Sequence, residues 1–156
     1  MQIGLFAFGK LKEKYWTDAF KNYEKRLGKA FLFKEFKEER LPQNPSPAEI
    51  EQALEKEAQV ILANLPEQTT LILLSKEGRM LDSEEFSAHL EKWQHLGGPV
   101  IFVIGSSYGI ADSLRQKSHS ILSFSKMTFP HQLMRVLFME QLYRAKSIQA
   151  GDPYHK

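Results

Sequence analysis

The chain has 156 residues, no cysteine and a formal net charge of +2, with 42% hydrophobic and 26% charged residues. This is enough for a single domain over residues 1–156 with a core of its own, and the composition excludes a disordered chain. The lack of cysteine excludes disulfides, thiolate metal sites and cysteine nucleophiles, and no run nears the about 18–20 apolar residues of a membrane span.

Residues 2–8, QIGLFAF, read as a buried strand ended by Gly9. The stretch before Gly9 lacks a basic leader and is too short for a signal peptide, so a cytoplasmic setting is expected. Tyr15, Trp16, Ala19, Phe20, Tyr23 and Leu27 recur at helical spacing over 13–28, with Gly28 as C-cap. Residues 30–36, AFLFKEF, fit a second strand, and the prolines between Leu41 and Pro47 mark a loop. Ser46 with Glu49 three residues on starts a capped helix that ends near Pro66.

Residues 69–74, TTLILL, are apolar in sequence rather than in alternation, as in a parallel strand covered on both faces. Ser75 to Met80 is expected to be a glycine-containing loop, followed by a helix capped by Asp82 or Ser83 and ended at Gly97-Gly98-Pro99. VIFVI at 100–104 is another buried strand, stopped by Gly105. A short helix over 110–117 and a weak strand over 120–124 follow. Thr128 is expected to cap a last long helix running to about Ile148. The alternation predicts an α/β fold, a parallel sheet flanked by helices on both faces. Ligands in such sheets bind outside the strand carboxyl ends, which here means the loops opening at Ser75, Gly105 and Phe124.

Charge is uneven along the chain. Residues 113–156 carry seven lysines and arginines against two acids, net +5, and the remainder is net −3. A basic end points to an anionic partner such as RNA, or to a solvated helix face. The 105–110 segment reads GSSYGI, which is neither a dinucleotide-binding fingerprint nor a phosphate-binding P-loop. Phe124 to Gln132 leads a polar loop into a helix start, where free amides favour anions or acceptor atoms. His131 there is expected to be neutral and able to act as a base, or else to be an ordinary residue of the helix start. His131 and Arg135 share one helix face. The long helix, PHQLMRVLFMEQLYRA, is apolar nearly all round, which fits either a subunit interface or burial within one chain. The tail ending Tyr154-His155-Lys156 could fray or could stack on a base. The scattered histidines have no metal-binding spacing, so no metal is expected.

FVIGSSYGI at 102–110, LSFSKMTFPHQLMRVLFMEQLYRA at 122–145 and the terminal GDPYHK together closely resemble the RlmH-type ribosomal RNA methyltransferases of the SPOUT class. GKLKEKYW at 9–16 and YEKRLG at 23–28 resemble the same family. The resemblance implies a C-terminal trefoil knot, a homodimer through the long C-terminal helix, and S-adenosylmethionine as cofactor. It implies N3 methylation of pseudouridine 1915 in 23S rRNA. The small chain and its low net charge point to the assembled ribosome or large subunit as the particle read. By motif, the cofactor pocket falls on Leu74, Gly105, Phe124, Ser125, Lys126, Met127, Thr128 and Phe129. His131, Arg135, Tyr154 and His155 are the expected catalytic residues. Another reading keeps the fold as a non-enzymatic ribosome-associated factor. One departure is Ser106, which stands where the family usually has the second glycine of Ile-Gly-Gly-Ser. A left-handed backbone there would strain it.

Overall fold

The computed structural model describes residues 2–156. Five strands, β1 (Ile3–Phe8), β2 (Phe31–Phe36), β3 (Thr70–Met80), β4 (Val100–Ile104) and β5 (Ser120–Ser123), form one parallel sheet in the order β2-β1-β4-β3-β5. The helices between and after them are α1 (Lys14–Leu27), α2 (Pro47–Asn64), α3 (Ser83–Gln94), α4 (Asp112–Lys117) and α5 (His131–Gln149).

Side chains alternate across a strand, so each central strand feeds two cores. Ile3, Leu5 and Ala7 of β1 join Val100, Phe102 and Ile104 of β4 on the face covered by Phe20 of α1, Phe86, Leu90 and Trp93 of α3, and Phe138 and Leu142 of α5. Phe6, Phe8, Ile101 and Val103 point the other way, against Ala58 and Ile61 of α2 and Leu114 of α4. This two-sided cover is why the strands read as unbroken apolar runs. Phe138 packs on Phe102 with ring centroids 4.8 Å apart and is fully buried, so truncating it to alanine would cost about 3–5 kcal/mol.

Helix starts follow local chemistry. Ser46 Oγ accepts from Glu49 N at 3.2 Å, and the Glu49 carboxylate accepts from Ser46 N at 3.1 Å. Asp82 and Glu85 make the same reciprocal pair at 2.7 and 2.8 Å. α5 differs from expectation. It begins at His131 behind Pro130 with no side-chain cap, and Thr128 stays in the preceding loop.

The expected loop from Ser75 to Met80 is part of β3. Leu74 and Arg79 both pair with Leu122, and the residues between them bulge out of the ladder. A Cβ on Gly78 would lie 2.6 Å from the Leu122 carbonyl carbon and 2.7 Å from Ile121, so only glycine lets the strand return this close. After β5 the chain crosses the carboxyl end of the sheet. Gln132 Oε1 accepts from Lys12 N at 2.8 Å, which pins the start of α5 to the loop after β1.

Candidate active site at the strand carboxyl ends

Leu74 pairs in register with Ile104 of β4 and with Leu122 of β5. The three strands therefore come level here, and the β3 bulge and the loops after β4 and β5 enclose a cleft of about 320 Å³. Its apolar wall comes from Leu74, Ile104, Ile110, Leu122, Phe124 and Met134, and its polar wall from Ser75, Lys76, Glu77, Ser106, Ser107 and Arg115. Arg115 Nη2 donates to Glu77 Oε2 at 3.0 Å, tying α4 to the β3 bulge beside the cleft.

The loop after β4 is a four-residue turn. Gly109 N donates to Ser106 O at 3.1 Å, and Gly109 carries the left-handed backbone, with φ of +108°. Gln68 is the only non-glycine with positive φ among the described residues. Ser106 is therefore unstrained, contrary to the expectation for a lost glycine. Gly105 has a steric role within the turn, since a Cβ there would meet Ile110 Cγ1 at 2.7 Å and Gly109 O at 2.9 Å.

The loop from Phe124 to Pro130 is stitched internally. Ser123 Oγ donates to Ser125 O at 2.9 Å, and Ser125 Oγ accepts from Met127 N at 2.9 Å. The Phe124 ring anchors it between Phe86 and Phe138. His131 follows at the first position of α5 and lines the cleft, with its Nδ1 buried and without a hydrogen-bond partner. An unmet buried donor or acceptor costs about 1–3 kcal/mol.

The structure brings Leu74, Gly105, Phe124, Ser125, Met127, Thr128, Phe129 and His131 to this one cleft. Lys126 lies outside its lining. Arg135, one of the expected catalytic residues, points into the fold. It is 2% exposed, and its Nη1 donates to Glu35 Oε2 at 2.6 Å. Its Nη2 donates to Phe8 O and Gly9 O at 3.2 and 3.1 Å. The guanidinium thereby binds α5 to the ends of β1 and β2.

Tyr154 and His155 also lie apart from the cleft. The Tyr154 hydroxyl donates to Glu140 Oε1 at 3.3 Å, and its ring meets Tyr143 and the Arg144 guanidinium. His155 Nδ1 is 3.1 Å from Arg144 Nη1, and its Nε2 is 3.5 Å from Glu84. Burial, followed by the Glu140 charge, pushes the Tyr154 phenol up, and the hydrogen bonds that Arg144 donates to the Glu140 carboxylate hold the guanidinium above its usual value. Glu140 is nine residues along α5 from His131, roughly 13 Å of helix rise.

Sequence reasoning missed Ile104, Leu122 and Met134, although the strand-end rule pointed to the first two. It also missed the Arg115–Glu77 pair, which spans 38 residues and has no local signal. No group of three or more acidic, histidine or cysteine side chains is placed to hold a metal among the described residues. None of their helices is long and apolar enough to cross a membrane.

Among solved structures, the SpoU methyltransferase AviRb from Streptomyces viridochromogenes, in complex with AdoMet, is similar to this chain at 11% identity and a TM-score of 0.47. The match covers 93% of this chain and 58% of AviRb, so the chain spans little over half of that protein. The model of a family described as predicted SPOUT methyltransferases matches residues 1–155. With 155 of 156 residues matched, the chain belongs to the SPOUT methyltransferases, and its type within them is RlmH.

Proposed function

We propose that the cleft binds S-adenosylmethionine and that the protein methylates N3 of pseudouridine 1915 in 23S rRNA, acting on the assembled ribosome or large subunit. The observation that carries this reading is the convergence of the β3 bulge and the loops after β4 and β5 on one cleft, with His131 among its lining residues. The residues fit the cofactor. A cavity of about 320 Å³ is within the usual range of about 300–1,000 Å³ for small-molecule sites. Leu74, Ile104, Leu122 and Phe124 offer an apolar bed for a purine, and the 105–109 and 124–130 loops offer backbone groups for its polar part.

When bound, the cofactor supplies an electrophilic methyl on a sulfonium that leaves as a neutral thioether. The imide N3–H of the target base is a weak acid, so its proton needs an acceptor as the N–C bond forms. His131 takes that proton. Arg135 acts through the fold, holding α5 and therefore His131 against the ends of β1 and β2.

Tyr154 and His155 are assigned to the substrate side of a homodimer formed through α5. Their own-chain contacts, Glu140 and Arg144, lie about 13 and 20 Å of helix rise from His131, which supports a site completed by the tail of a second copy. Half-buried Leu133 and Leu137 on α5 offer apolar surface for that copy. The same reading includes a trefoil knot at the C-terminal end, where the chain passes from β5 across to β1 before α5. A net charge of +2 favours a substrate read within a folded particle, because tight binding of bare RNA rests on many phosphate contacts.

The test is label transfer from methyl-labelled S-adenosylmethionine to intact ribosomes, separated large subunits and bare rRNA. Label at N3 of one pseudouridine of large-subunit RNA is the expected result. No transfer to any of them by folded dimer overturns the enzymatic reading in favour of a non-enzymatic ribosome-associated factor.

A further inference from the structure

The loop after β1 takes no part in the cleft lining, yet the fold sets it next to the cleft. All five strands are parallel, so this loop leaves the same edge of the sheet as the loops after β4 and β5. β1 is the neighbour of β4, with Ala7 level with Ile104 of the cleft wall. Two side chains from the start of α5 hold the loop at both ends. Arg135 Nη2 donates to Phe8 O and Gly9 O, and Gln132 Oε1, next in sequence to His131, accepts from Lys12 N at 2.8 Å. Leu11 packs inward against the core, while Lys10, Lys12, Lys14 and Tyr15 are all exposed.

Residues 9–16, GKLKEKYW, carry three lysines against one glutamate. Their net +2 equals that of the whole chain, so the remainder is balanced. Lys14 Nζ pairs with Asp18 at 3.0 Å, but the Lys10 and Lys12 ammoniums have no ion pair among the described residues. Arg115, Arg135 and Arg144 of the basic C-terminal end, by contrast, are each held by a glutamate. Tyr15 is 63% exposed and stands edge-on to Trp16, with ring centroids 5.0 Å apart. Free cations beside an exposed aromatic face suit single-stranded RNA, whose phosphates take the cations and whose unstacked bases take the ring. N3 lies on the pairing edge of the target base, so it reaches a methyl donor only from an unpaired or flipped-out nucleotide. We propose that Lys10, Lys12 and Tyr15 form the docking surface for the RNA strand flanking the target nucleotide. The lysines take its phosphates, and Tyr15 stacks on one of its bases. This rests on the reading that the substrate is ribosomal RNA methylated at the cleft.

The experiment measures methyl transfer to intact ribosomes and separated large subunits over a range of salt concentrations, with S-adenosylmethionine calorimetry and ultraviolet cross-linking alongside. The proteins are the wild type, the double variant Lys10→Ala/Lys12→Ala, Tyr15→Ala and Tyr15→Phe. The lysine double variant should raise the ribosomal KM about tenfold or more and flatten its log–log salt dependence by about 1.4, the share of two single-strand phosphate contacts. Tyr15→Ala should raise KM about 5–150-fold, the scale of one lost base stack, and Tyr15→Phe should recover most of that. In all of them kcat at saturation and S-adenosylmethionine affinity should hold. Cross-links from the wild-type 9–16 segment to large-subunit RNA beside the methylated nucleotide support the proposal, and cross-links to ribosomal protein alone overturn it. An unchanged ribosomal KM in either the lysine double variant or Tyr15→Ala would overturn it, as would a fall in S-adenosylmethionine affinity large enough to account for the raised KM. If Tyr15→Ala does not fold, the lysine double variant decides alone. A wild type that neither transfers methyl to ribosomal RNA nor cross-links to it overturns the RNA reading and this inference together. Full wild-type transfer with unaffected variants overturns this inference alone.

Discussion

Arg135 on α5 and Glu35 on the edge strand β2 are joined by a 2.6 Å ion pair across 100 residues of sequence. The pair is asymmetric in burial, with the arginine side chain 2% exposed and the glutamate 32%. Glu35→Ala leaves a buried guanidinium with only two carbonyl partners, whereas Arg135→Met leaves a carboxylate that water can reach. Glu35→Ala should therefore cost more, about 3–5 kcal/mol, and Arg135→Met less than that. Urea unfolding of both variants checks the order. The reverse order would mean that Arg135 contributes mainly through packing.

His131→Ala should lower methyl transfer by about 100-fold or more, the usual scale for a lost general base. Cofactor affinity should fall by no more than about tenfold, as one hydrogen bond at most is lost. Single-turnover transfer and calorimetry on the same preparation separate the two effects. Unchanged transfer with unchanged affinity would remove His131 from the chemistry.

Deleting residues 153–156 should abolish transfer and leave cofactor binding nearly intact, because Tyr154 and His155 touch α5 and α3 rather than the cleft. Mixing the truncated chain with His131→Ala should restore part of the activity through heterodimers. In these, one site has both an intact His131 and an intact tail from the other chain. Mixtures as inactive as either variant alone would place tail and histidine in the same chain.

Gly78→Ala should destabilise the fold by about 1–3 kcal/mol, since its Cβ would press on backbone at Ile121 and Leu122. Leu122 lines the cleft, so cofactor affinity should fall as well. Thermal melting with and without S-adenosylmethionine reads both.

Glu57 gives stability a pH dependence of unusual sign. Its folded-state pKa is raised above the ordinary value of 4.5, chiefly by burial. As pH rises past about 4.5, the unfolded chain releases the proton first, so the folded state loses stability until its own carboxyl ionises. Glu57→Gln lacks this loss. Its stability relative to the wild type should be greatest above the folded-state pKa and should decline below about pH 4, where both states of the wild type are protonated. Melting curves across that range are the measurement, and a difference independent of pH would contradict the assignment.

Much of the architecture was legible because its causes are local. Unbroken apolar runs such as VIFVI come from strands covered on both faces, and the Ser46/Glu49 and Asp82/Glu85 pairs act within one helical turn. The strand-end rule then pointed to the loops at Ser75, Gly105 and Phe124, and the motif resemblance named eight of the twenty residues that line the cleft. Tertiary structure decided what depends on strand order and close approach. Gly78 looked like a loop glycine until β5 lay against it, and Ser106 looked strained until Gly109 took up the left-handed turn. Arg135 is buried because β2 places Glu35 beside it, and Glu57 is buried where the Glu39 backbone amide donates to it. Periodicity and capping reach only a few residues along the chain. The partners of a buried charge are chosen by which strands end side by side.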